Sequence, residues 1–238
     1  MAGVEHQEPL PPDAITVARR ALVLATVSCR GFIDKDQADG ARDLAKNSKD
    51  WLYALGLDEE LSTWERKILS TEWGTLEERD RVNASWLSEA LVVLAWALGR
   101  IEMPAFDEQC EPSEIANALG FLQPSSETVL SEPTLRSTNE LNDYNQFIFD
   151  VHWRIRDHTL HKRPYDFESL AGKSWGEPVL RYGLKLCEKD IQIGGQPLFR
   201  APENIWRILA SITQERHQAS NWLIGYASED YYEVTADT

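Results

Sequence analysis

Near the C-terminus the chain carries Glu215-Arg216-His217 inside a stretch with helical periodicity. The apolar row Ile205, Leu209, Ile212, Ala219 and Leu223 runs through position 216, and the row Ile208, Ile212, Ala219 and Trp222 runs through 215. Two charges therefore fall within or beside an apolar stripe. A charge buried alone is costly, so each needs a partner elsewhere in the fold. Two arrangements meet that need. One is a polar clamp between helices. The other is a pocket in which Glu215 or His217 acts as a base while Arg216 holds an anion.

A second polar set lies upstream. Glu140, Asp143 and Asp150 precede His152, Arg154 and Arg156 in one helical stretch. Asp150 and Arg154 stand at i,i+4 with the acid first, the favourable order for a helix pair. This helix is a source of partners for Glu215 and Arg216. The candidate polar site is therefore Glu140, Asp143, His152, Arg154, Glu215, Arg216 and His217. Further on, residues 152–163 hold three of the five histidines and four basic residues against one acid, Asp157. His158 and His161 are spaced to share a metal ion, but no third ligand accompanies them. Neither a metal nor a cofactor is expected. The motifs of nucleotide-binding loops, zinc peptidases, nucleophile elbows and di-iron bundles are all missing.

Charge narrows the classes further. Asp and Glu number 39 against 24 Lys and Arg, a net charge of −15. Neutralising phosphates takes clustered cations, so neither nucleic acid nor an anionic membrane is an expected partner. The acids are unevenly placed: residues 101–135 contain seven and no Lys or Arg. Such a surface suits a basic protein partner, and it serves solubility equally well. The three cysteines form no CxxC pair, residues 1–12 do not resemble a leader, and the longest strictly apolar run is nine residues. A cytoplasmic protein with free thiols is expected.

The elements that must position these residues are mostly helical. Helices are predicted over 15–29, 37–55, 62–73 (opened by the capping box of Ser62 and Glu65), 76–101, 113–122, 137–161 (opened by Ser137 and Glu140) and from 203 to about 225. The stretch 76–101 is apolar on most sides in its second half and should be central and buried. Residues 166–186 read as helical in parts. The alternation of residues 190–193 followed by Gly194-Gly195 predicts a small β-hairpin near residues 190–199. The expected fold class is mainly α: a flexible tail over 1–12 and a single multi-helix globular domain over 13–238. Oligomeric state is not readable from the chain.

Three stretches then form a recognisable set. They are residues 86–99 (WLSEALVVLAWALG), Arg136-Ser137 with Glu140 and His152-Trp153, and residues 215–223 (ERHQASNWL) followed by Asp237-Thr238. In this order they resemble the bacterial domain-of-unknown-function family 4272 (DUF4272). The pattern is departed from at Asp150, where an arginine is expected, and at Tyr231-Tyr232, where a Trp-Asp-like pair is expected. The resemblance implies a helical domain, brings no activity or cofactor, and adds Trp222 to the candidate site. Two readings of function follow. The first is a non-enzymatic protein-interaction protein, of which an immunity protein neutralising a basic toxin is one form. The second is an enzyme or small-ligand binder acting between the Glu140/His152 helix and the Glu215/Arg216 helix.

Overall fold

A computed structural model describes residues 9–36, 38–171 and 182–238. The described chain is mostly helical with a small three-stranded antiparallel sheet. Its contacts group it into two units.

The unit of Ala14–Pro104 and Gln109–Arg136 grows from α1 (Ala14–Ile33) and α4 (Glu78–Ala97), which pack against each other. From Leu87 to Ala97 every residue of α4 is buried, as a helix apolar on most sides requires. Gly99, with φ of +67°, ends the turn that follows it. Around this pair lie α2 (Ala41–Ala54), α3 (Thr63–Ser70), α5 (Pro112–Ala118) and α6 (Ser126–Ser131). The capping box predicted at Ser62 and Glu65 is present. The α5 helix starts on Pro112, whose missing N–H costs nothing at the first helical position, and Glu111 caps it. Most helices end short of the predicted bounds, as where Gly40 in the left-handed region opens α2 at Ala41, but α1 runs past its predicted end to Ile33. The sequence did not announce α6.

Two arginines of α1 fasten this unit. The Arg20 guanidinium donates to both carboxylate oxygens of Glu65, at 2.8 and 3.0 Å, and to the Glu60 carbonyl at 2.7 Å. Arg30 is paired with Asp34 and donates to the carbonyls of Thr71 and Glu72. Asp34 in turn accepts from the N–H groups of Gly74 and Leu76. The connections on either side of α3 are thus held by charges anchored on α1.

The other unit contains residues 9–13, Ala105–Glu108 and Ser137–Thr238. Its frame is α7 (Thr138–Leu160) packed on α9 (Glu203–Leu223). Between them in sequence come α8 (Phe167–Ala171) and the sheet of β1 (Leu186–Cys187), β2 (Asp190–Ile193) and β3 (Gln196–Pro197). The predicted hairpin is the β2–β3 pair, with Ile193 opposite Gln196 across Gly194-Gly195. Strand β1 adds a second partner to β2 through the Leu186 and Ile191 pairing. Residues 172–181 of the predicted part-helical stretch, and Gln37, lie outside the described residues. No described helix is long and apolar enough to cross a membrane.

Close approach of α1 and α4 centres on Gly31. A Cβ there would lie 2.5 Å from the Ser85 nitrogen and 2.8 Å from the Ala84 carbonyl carbon. Gly to Ala inside a helix ordinarily stabilises by about 1 kcal/mol. Here backbone would have to move, so Gly31→Ala is expected to destabilise by about 1–3 kcal/mol in urea unfolding, the opposite sign.

Candidate functional site

The polar residues singled out in the sequence divide among separate arrangements. Glu140 serves the start of α7. Its carboxylate accepts from the N–H of Ser137 at 3.0 Å while the Ser137 hydroxyl accepts from the N–H of Glu140, a complete capping box. It is exposed, and 12 residues of helix, about 18 Å, separate it from His152. Asp143 and Glu215 are half-buried.

His152 and His217 meet. Their rings lie on facing helices, α7 and α9, and the two Nδ1 atoms are 3.0 Å apart. One ring's Nδ1–H donates to the bare Nδ1 of the other, so the neutral pair holds opposite tautomers. Both side chains are buried. Burial pushes His152 down to about 4, with Arg156 adding to the effect. Burial and the facing His152 push His217 down to about 3, against the opposing pull of the Asn221 hydrogen bond and of Asp237. The Phe149 ring packs edge-on against His217.

Next to the pair runs a hydrogen-bond chain that sequence reasoning missed. The Asn145 side-chain amide donates to the Ser220 hydroxyl at 2.9 Å and to Asn221 Oδ1 at 2.7 Å, and Asn221 donates to the Thr235 carbonyl. A signal for it existed. Thr213, Arg216, His217 and Ser220 follow i, i+3, i+4, i+7 spacing, a polar stripe on a face that is otherwise core.

Arg154 and Arg216 are fastenings. The Arg154 side chain is fully buried and makes a two-pronged pair with Asp190 on β2, at 2.8 and 2.7 Å, with Asp157 at 3.2 Å. The predicted Asp150 partnership does not form. Asp150 accepts from Gln146 instead, and burial pushes its carboxyl up to about 6. Arg216 donates to the carbonyls of Ala105 and Glu108 at 3.0 and 2.7 Å. Trp222 donates its indole N–H to the Glu229 carbonyl at 2.9 Å and packs edge-on against Tyr231.

The basic island is partly neutralised from within, since Asp157 also faces His161 and Arg163. His158 is buried with its ring edge-on to Trp206. Among the described residues no group of three or more His, Cys, Asp or Glu could hold a metal ion.

The acid-only stretch presents a different feature. In the α1–α6 unit a cleft of about 420 Å³ opens beside α5. Its apolar lining includes Val92, Ile101, Met103 and Ile115, and Glu102, Glu111 and Glu114 line it too. All three glutamates are exposed.

Fold and geometry together define a mainly helical protein whose buried polar groups fasten its own chain. Residues 4–170 match the model of the family described as a domain of unknown function (DUF4272), and the chain belongs to that family. No curated protein and no solved structure matches it. The matched residues run through α7 and stop before α9.

Two outcomes test the polar groups. Asp190→Ala leaves Arg154 without its two-pronged partner and is expected to cost about 3–5 kcal/mol in urea unfolding, whereas Arg154→Met with Asp190→Leu costs much less. The second concerns pH. The native histidine pair refuses protons that the unfolded chain accepts below about 6.5, so stability falls as pH drops from 6.5, by up to about 1.4 kcal/mol per unit for each ring. Asp150 acts oppositely, because its native carboxyl takes a proton near 6 and the unfolded one near 4. Asp150→Asn should therefore lose roughly 1 kcal/mol more than the wild type between pH 7 and 5.

Proposed function

We propose that the protein is a non-enzymatic, cytoplasmic binding protein that recognises a basic protein partner, in the manner of an immunity protein holding a cationic toxin. The cleft beside α5 carries this reading: an apolar floor with glutamates at its edge. The floor suits an apolar side chain, and the glutamates select Lys or Arg next to it. Surrounding acids, seven in residues 101–135 with no Lys or Arg, would speed encounter with a cationic surface. The volume lies within the usual range of about 300–1,000 Å³ for binding clefts.

The polar residues of α7 and α9 support the same reading by their placement. His152, Arg154, Arg216 and His217 are each no more than 6% exposed and are engaged with other groups of the chain. A ring held near 4 or 3 is also a poor proton acceptor at neutral pH. These groups are read as structural.

Peptide-display selection on the intact protein tests the proposal. The expected winners pair an apolar anchor with Lys or Arg, and bind at least about tenfold more weakly to Glu102→Gln/Glu111→Gln/Glu114→Gln. The three side chains are exposed, so circular dichroism should show an unchanged fold. A selection that enriches no basic sequence, or winners indifferent to the triple variant, overturns it.

A further inference from the structure

One segment of this chain has the chemistry that the cleft selects. Where α7 ends, Leu160 is 70% exposed, and His161, Lys162 and Arg163 follow it, all exposed. An aliphatic side chain of that exposure next to three groups that are or can become cationic is the pattern of anchor and flanking charge described above. The segment is also held in shape. The Lys162 ammonium sits 5.5 Å from the centre of the Trp206 ring, the Arg163 guanidinium lies 5.9 Å from that of Tyr165, and the Arg163 carbonyl accepts from Arg154. Holding a binding segment in place before contact reduces the ordering cost of association.

We propose that the cleft beside α5 takes residues 160–163 of a second copy of this chain. This rests on the reading of the cleft given above and names its occupant. Leu160 enters the cleft against the half-buried Ile101 and Met103. Lys162 and Arg163 meet Glu111 and Glu114. The net charge of −15 repels two copies at long range. At physiological salt that repulsion is screened beyond about 8 Å, so the local match of signs decides at contact. Cleft and segment are different surfaces, so the contact is head-to-tail. The pair still offers one free cleft and one free segment, and association continues unless the geometry closes a ring. An interface of this extent is small, so the association is weak and concentration-dependent.

Sedimentation velocity on the full-length chain tests this with two variants. Leu160→Asp/Lys162→Glu removes the segment and keeps the cleft. Glu111→Gln/Glu114→Lys does the reverse and keeps an acceptor oxygen at the cap of α5. The wild type is expected to shift to faster-sedimenting species as its concentration rises to about 0.5 mM, and each variant alone stays monomeric. Mixed, the two form a discrete 1:1 complex, because one intact cleft meets one intact segment. All changed side chains are exposed, and thermal unfolding of each variant close to that of the wild type shows the folds are kept. A wild type that stays monomeric at the highest concentration overturns the proposal. So does association that survives in both variants, or a mixture that gives no complex. If basic peptides bind the cleft while the full chain remains monomeric, self-association fails and the reading of the cleft stands. If peptides also fail to bind, both fall.

Discussion

A guanidinium taken out of water must have its donors met, and this requirement organises the chain. Four helix-borne arginines are buried or nearly so, and each one grips a carbonyl or carboxylate outside the α-helices. Arg20 holds the Glu60 carbonyl, and Arg30 holds the 71–72 carbonyls. Arg154 holds β2 through Asp190, and Arg216 holds the carbonyls of Ala105 and Glu108. Helices satisfy their own backbone, but connections do not. Placing a planar fork of five donors on a rigid helix lets that helix satisfy a loop's carbonyls and set the loop's path together. In this molecule the helices shape the loops through arginine as much as through apolar packing.

That use of charge explains which parts of the sequence could be read. The course of α4 was legible because the nine consecutive apolar residues from Ala90 to Leu98 leave a continuous apolar record. Both capping boxes and the Gly194-Gly195 turn were legible because cap and turn chemistry is local. Partnerships across long separations left no such trace. Asp150, four residues from Arg154, has the right spacing and sign, yet Asp190 takes the arginine from 36 residues away. A strand carboxylate aimed squarely at a buried fork offers two strong bonds, and a helix-surface neighbour offers a weak one. The short α6 was missed for a related reason: six residues hold too little periodicity to register.

The candidate site follows the same logic. Of the eight residues singled out, His152 and His217 face each other directly. The others were grouped because their types suit catalysis, and types alone do not separate a reactive group from a fastening. What separates them is what they touch. Arg216 touches main-chain carbonyls, Trp222 touches the Glu229 carbonyl, and Glu140 touches the start of its own helix. Acids that no periodicity singled out line an apolar cleft in the other unit.

Glu65 belongs to two structures at once. Its carboxylate accepts the N–H of Ser62, closing the capping box of α3, and the same group receives Arg20 from α1. Fraying of the first turn of α3 would withdraw the carboxylate from Arg20, and release of Arg20 would free the carboxylate from the cap. A local opening and a tertiary opening are thereby joined, and the amides at the start of α3 should exchange with solvent only when α1 also lets go. A short helix that would be marginal alone takes its cooperativity from an ion pair that spans 45 residues of sequence.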